Sequence, residues 1–176
     1  TRSAVELARR LRDHMDVAFV DPYGCCELFR EAVQQAGLDY HVLVPDAGPR
    51  VIGGHRTPLR RAWKLGTAAP EMLRLRRLAL ERLVAIGASA VYCTNPKSIF
   101  LATRLRRSAE QLPIVVHLRG WYTPEMVPPY ARWLYNHRCR QLWAVSYATQ
   151  AALRCSGVRN EKIRVLRNAI DVEAMD

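Results

Sequence analysis

A parallel α/β fold, with helices packed on a sheet, is predicted for this chain of 176 residues. Two observations predict it. Strand-sized apolar runs alternate with helical patterns along the whole chain, and strands that alternate with helices form parallel sheets covered by helices. In addition, Asn95-Pro96 and Thr123-Pro124 each place a capping residue before a proline, the device that opens a helix directly after a strand.

The elements follow in order. Ala4, Leu7, Ala8, Leu11 and Met15 recur at three- and four-residue steps, so Ser3 to Met15 reads as an amphipathic helix capped by Ser3 or Thr1. Val17 to Val20 is a buried strand, Glu27 to Gln35 a helix stopped by Gly37, and His41 to Val44 the next strand before Pro45. Gly48, Pro49, Gly53, Gly54 and Pro58 mark Asp46 to Thr67 as a long loop, of a length that is usually functional or mobile. Met72, Leu75, Ala79, Leu83 and Ile86 share one face of a helix from Met72 to Ile86. Ser89 to Cys93 is a strand, followed by a helix from Pro96 to about Arg107 and a strand from Ile114 to Leu118. The helix begun at Thr123-Pro124-Glu125 must be interrupted by Pro128 and Pro129 before it resumes over Tyr130 to Arg138. Leu142 to Val145 is a strand, Ser146 caps a helix ending at Gly157, and Ile163 to Leu166 is the last of six strands. The fold class is therefore a Rossmann-like three-layer α/β/α sandwich.

With 49% hydrophobic residues the chain is long enough for one well-buried core and short for two ordinary domains, so residues 1–176 are expected to form one domain. Its apolar runs fall well short of a bilayer span and no signal-peptide pattern opens the chain, which leads us to expect a soluble cytoplasmic protein. Cys25, Cys26, Cys93, Cys139 and Cys155 lack Cys-x-x-Cys spacing, so neither a zinc site nor a disulfide framework is indicated, and buried thiols are expected. A net charge of +11 favours an anionic partner. Arg56, Arg60, Arg61, Lys64, Arg74, Arg76, Arg77 and Arg82 crowd one segment around Trp63, either as a solvated helix face or as a patch for an anionic membrane surface.

The common phosphate signatures G-x-G-x-x-G and G-x-x-x-x-G-K-[ST] are missing, and Ser146 is more simply a helix cap than a nucleophile. The residues alone thus describe a phosphate- or sugar-binding α/β domain without its own catalytic centre.

Val145-Ser146-Tyr147-Ala148, Leu153, Gly157-Val158, Lys162-Ile163 and Asn168-Ala169-Ile170-Asp171 resemble, in order and spacing, the pattern that closes the N-terminal domain of glycosyltransferase family 4, the retaining GT-B enzymes. Ala36-Gly37-Leu38, Ala90 to Asn95 and Leu112 to Gly120 extend the likeness essentially from end to end. The sequence departs from the family at Ala169, where a glycine is usual, and at Arg119, which aligns with the family's histidine, while His117 lies two residues earlier on the same strand face. The family's domain has seven strands. Either its first strand and glycine-rich loop lie upstream of Thr1, the reading we favour, or Val17 to Val20 serves as that strand with Tyr23-Gly24-Cys25-Cys26 as its loop.

The resemblance implies half of a GT-B fold, the acceptor-side domain of an enzyme that moves a sugar from a nucleotide-sugar donor to a glycan or lipid-linked acceptor with retention. The donor-binding C-terminal domain is absent from this sequence, with Asn168 and Asp171 leading into the interdomain linker and no catalytic residue expected in this half. The nucleotide sugar is a co-substrate, and no tightly bound cofactor or metal is expected. The cleft is expected to draw on Asn95, Lys97 and Ser98 after one strand, His117, Arg119, Gly120, Trp121 and Tyr122 after the next, and Ser146. Arg119 suits a phosphate or carboxylate and His117 a sugar hydroxyl, unless they are a surface charge and a satisfied strand-end histidine. Trp121 and Tyr122 either stack on a sugar or pack in the core, and the Ser146 helix either faces a phosphate or is plainly capped. Arg56, Arg60, Arg61, Trp63, Lys64, Arg74 and Arg77 form the candidate contact with the inner face of a membrane. A nucleic-acid module is disfavoured because the basic residues lie outside any helix-turn-helix or aromatic platform. A free-standing sugar-phosphate-binding or regulatory domain remains as the rival.

Overall fold

The computed structural model describes residues 2–45, 58–103, 112–120 and 122–167, with the backbone alone at 2, 3 and 58–67. They fall into two compact units, Thr1–Arg82 and Leu83–Asp176.

In the first unit β1 (Ala18–Asp21) runs parallel to β2 (Asp39–Val42), with Ala18 opposite Asp39 and Asp21 opposite Val42. Helices α1 (Arg2–Leu11) and α2 (Glu27–Gln35) bury Val5, Ala8 and Val33 with Leu38. Phe29 stands edge-on to both Phe19 and Tyr40 at 5.4 and 6.1 Å, the arrangement that aromatic quadrupoles favour. Asp21 ends β1 by accepting hydrogen bonds from the Tyr23 and Gly24 amides at 3.0 and 3.1 Å and from the Tyr40 hydroxyl at 2.8 Å. Those two amides in the Tyr23 to Cys26 loop are therefore engaged by the chain's own carboxylate. Gly24 is required there: its φ is +66°, and a Cβ would lie 2.8 Å from the Val42 side chain.

The long helix α3 (Pro58–Ala85) corrects the expected loop over Asp46 to Thr67, of which 46–57 lie outside the described residues. Pro58 starts the helix, since its fixed φ and missing N–H suit the first position. Leu, Arg, Ala and Lys, strong helix formers, carry it on through Gly66, and Pro70 removes one backbone hydrogen bond without ending it. Leu75, Ala79 and Leu83 are buried on the expected face.

In the second unit β3 (Val91–Cys93), β4 (Ile114–Leu118), β5 (Gln141–Ala144) and β6 (Ile163–Val165) form a parallel sheet in that order. The helices α4 (Pro96–Ala102), α5 (Pro129–His137) and α6 (Tyr147–Cys155) contribute Ile99, Ala131, Leu134, Tyr135 and Leu153 to one core with Cys93, Ile114, Val116, Leu118, Leu142, Ala144 and Ile163. Because side chains alternate along a strand, Tyr92, Val115, His117, Trp143 and Arg164 occupy the other face. The expected Rossmann-like parallel α/β architecture is thus present.

Several boundaries follow from caps. The Asn95 Oδ1 accepts from the Ser98 amide at 2.9 Å, and the Ser146 Oγ accepts from the Thr149 amide at 3.2 Å. Replacing either cap with alanine costs about 1 kcal/mol. Helix α4 ends at Ala102 rather than near Arg107, because Thr103 turns extended and its hydroxyl donates to the Ile99 carbonyl at 2.6 Å. As expected, Pro128 separates a single 3-10 turn (Pro124–Met126) from α5. The expectation of buried thiols holds for Cys93 and Cys139 and fails for Cys25, Cys26 and Cys155. The exposed cysteines sit just before α2 and at the end of α6. Burial pushes the Cys93 thiol up to about 11 and the Cys139 thiol up to about 12.

Candidate functional site

Ligands of parallel α/β folds gather beyond the carboxyl ends of the strands. There, in the second unit, a hollow of about 130 Å³ is lined by Arg119, Gly120, Tyr122, Val145, Ser146, Ala148 and Thr149. Arg119 and Gly120 follow β4 directly, and Val145 and Ser146 follow β5, so adjacent strands deliver both walls. The floor is fixed by hydrogen bonds: the buried Thr149 hydroxyl lies 3.1 Å from the Ser146 hydroxyl and donates to the Gly120 carbonyl at 3.4 Å. The amino end of α6 therefore opens onto the hollow, and its first-turn amides carry partial positive charge.

Behind Arg119 stands a polar and aromatic cluster. The Arg119 Nε donates to His117 Nδ1 at 3.2 Å, and its Nη2 donates to the Tyr92 hydroxyl at 3.0 Å. Tyr92 Oη lies 2.7 Å from the same His117 Nδ1. The rings of Tyr92, His117 and Trp143 stand about 6 Å from one another, and the Trp143 indole is fixed by donating to Gln141 Oε1 at 3.0 Å. Only 3% of the His117 surface is exposed, and its Nε2 makes no full hydrogen bond among the described residues. Burial first, and then the neighbouring Arg119 guanidinium, hold the imidazole below its ordinary value of 6.5, with the Leu166 backbone acting in the opposite direction.

This depression has a stability consequence. Below about pH 6.5 the unfolded chain takes up a proton that the folded His117 refuses, so its contribution to stability is present above that pH and is lost as pH falls through the folded value. Unfolding free energy, followed by urea denaturation from pH 7.5 to 5, is expected to fall with acid, and His117→Asn to show a shallower slope. Equal slopes would contradict a neutral buried imidazole.

The structure distributes the expected site residues unevenly. Arg119, Gly120, Tyr122 and Ser146 meet at the hollow, whereas His117 is buried behind it. Tyr122 is half-buried, packs against the core and lines the hollow as well, and burial pushes its phenol up. Asn95 and Ser98 cap α4, the Ser98 hydroxyl also donating to the Asn95 carbonyl at 2.8 Å, while Lys97 is half-buried on the first turn. Trp121, Asn168 and Asp171 lie outside the described residues. Of the basic segment, Arg74 and Arg77 are exposed on α3, Arg60, Arg61, Trp63 and Lys64 lie on its backbone with undescribed side chains, and Arg56 lies outside. Tyr92, Trp143 and Thr149 were not anticipated. The Ser-x-x-Thr spacing after β5 is a signal for Thr149, whereas the meeting of Tyr92 and Trp143 with His117 depends on strand register. Among the described residues no group of three His, Cys, Asp or Glu is placed to hold a metal ion, and no helix is long and apolar enough to cross a membrane.

Comparison with known proteins completes the picture. Among solved structures the chain is similar to Alr3699/HepE of Anabaena in complex with UDP-glucose, with a TM-score of 0.64 and 20% identity over 97% of this chain and 40% of that one. It is likewise similar to the same protein in complex with UDP and glucose, with a TM-score of 0.60, 20% identity, and coverage of 97% and 41%. The chain thus spans about two-fifths of the length of these structures, and likeness at this identity speaks to the fold. Comparison with curated protein sequences gives no match. The sequence profile of Glycosyltransferase Family 4 matches residues 1–174, nearly the whole chain, and to that family the chain belongs.

Proposed function

We propose that this chain is the acceptor-side domain of a retaining glycosyltransferase that transfers a hexose from a nucleotide sugar to a glycan or lipid-linked acceptor. The observation that carries this reading is the convergence of Arg119 and the amino end of α6 on one hollow at the carboxyl ends of β4 and β5. A guanidinium fork and a helix amino terminus both favour a phosphate or carboxylate. The complex of Alr3699/HepE with UDP-glucose supports a nucleotide sugar as the donor class. Tyr122, with Trp121 beside it in sequence, offers an aromatic face for a sugar. In this reading Asn95, Lys97 and Ser98, in the turn after β3 and the first turn of α4, belong to the acceptor side, and a second α/β domain holds the nucleotide.

In this reading the two domains form the walls of one cleft, and stabilisation of the transition state needs both. The isolated chain is therefore expected to show no transfer. Phosphate and UDP-glucose are expected to perturb the amide signals of Gly120, Ser146 and Ala148 in a nuclear magnetic resonance titration. Turnover by the chain alone, or a titration in which those amides stay still, would remove the proposal. We place the enzyme in the cytoplasm at the inner face of a membrane. Support comes from the exposed Leu73 beside exposed Arg74 and Arg77 on α3, a mixture of apolar and cationic groups suited to anionic lipid. Indifference to anionic vesicles at low salt would remove this part.

A further inference from the structure

We propose that Tyr92 and His117 are positioning residues that clamp the Arg119 guanidinium at the rim of the hollow, and that His117 does so as a neutral imidazole that touches no ligand. The inference rests on the reading of the hollow as an anion-binding site. It follows from counting protons. The Arg119 Nε can only donate, so His117 Nδ1, 3.2 Å away, must accept and carries no proton. The Tyr92 hydroxyl has one proton, which goes to the same Nδ1 at 2.7 Å, and its lone pair receives Arg119 Nη2 at 3.0 Å. The three side chains close a ring in which the single Nδ1 lone pair is shared by the Arg119 and Tyr92 donors, the tyrosine at the shorter distance. A proton on Nδ1 would set two N–H groups against each other and turn the tyrosine hydroxyl away.

The surroundings fix the same state. His117 is buried, and the groups facing it are Tyr92 from β3, Trp143 from β5 and Arg119 beyond the end of its own strand, with the cation Arg164 farther along the same sheet face on β6. Burial and the Arg119 cation oppose an imidazolium, while the Leu166 backbone favours one. A long arginine side chain loses considerable rotamer freedom when it grips a ligand. A clamp that orders it beforehand removes that loss from binding.

The experiment uses the whole chain labelled with nitrogen-15. Side-chain nitrogen spectra are expected to show His117 protonated at Nε2 and bare at Nδ1 at pH 7, and a slowly exchanging Arg119 Nε–H. In Tyr92→Phe the Arg119 signal is expected to exchange faster, and inorganic phosphate to bind about 3- to 10-fold more weakly. His117→Asn retains an acceptor near the Nδ1 position and is expected to keep more of the affinity than His117→Phe. A proton on Nδ1, or an Arg119 signal unchanged in Tyr92→Phe, would overturn the clamp even if a histidine variant failed to fold. Intact clamp signals with no phosphate response in the wild type would instead sink the anion-site reading and leave the clamp's geometry standing.

Discussion

Arg119→Gln is expected to weaken binding of a phosphate-bearing ligand by about 10- to 100-fold, the loss that accompanies removal of one charge-assisted hydrogen-bonding group. Glutamine keeps much of the length and some donor capacity, so the loss isolates charge and fork geometry. Arg119→Lys retains the charge yet cannot donate from two fixed positions at once, to His117 through Nε and to Tyr92 through Nη2. It is expected to recover only part of the affinity. Titration calorimetry with inorganic phosphate and with UDP-glucose reads both variants against the wild type. Arg119 is half-buried at the end of a strand and donates to His117 and Tyr92, so the urea midpoint of each variant is measured alongside to separate loss of the ligand from loss of the fold. Wild-type affinity in Arg119→Gln would take the anion out of the hollow altogether. A large fall in stability would instead make the cluster a packing device.

Much of this site was legible before any coordinates, and the part that was not has a physical cause. Helix α2 and strand β4 have the bounds expected from periodicity, and Asn95 and Ser146 cap as their spacing implies, because these signals are local. Arg119 and Ser146 were legible for the same reason: each directly follows a recognisable strand. Tyr92 and Trp143 were not, since their meeting with His117 depends on register. His117 lies opposite Trp143, and Tyr92 sits one pleat away across β3 and β4, a relation between segments that no window along the chain contains. The start of α3 is obscured for a different reason: Gly53, Gly54 and Pro58 have the composition of one punctuated loop, whereas proline at the first turn begins a helix. His117, expected either to meet a sugar hydroxyl or to be a satisfied strand-end histidine, is 3% exposed and accepts from Arg119 Nε.

The hollow exists only while β4, β5 and β6 keep their order, and Leu142 is the residue on which that order tests most directly. It is fully buried on β5, opposite Val116 on β4 and Ile163 on β6, with both neighbours also buried. Leu142→Ala removes three heavy atoms from a core in which the flanking strands, tied by backbone hydrogen bonds, cannot close inward. The expected cost is about 2–5 kcal/mol, transfer free energy plus the residual cavity, against a total stability of roughly 5–15 kcal/mol for an ordinary domain. Urea denaturation followed by far-ultraviolet circular dichroism and by tryptophan fluorescence measures it, with Trp143 adjacent as a reporter. Leu28→Ala is the control: the same change at a side chain that is 80% exposed should stay within about 0.5 kcal/mol. If the two variants lost comparable amounts, β5 would not be the centre of this core. If Leu142→Ala alone fell by several kcal/mol, the strand that carries Ser146 into the hollow would owe its position to apolar burial two pleats below the site, and phosphate affinity should decline along with stability as the variant approaches its unfolding midpoint.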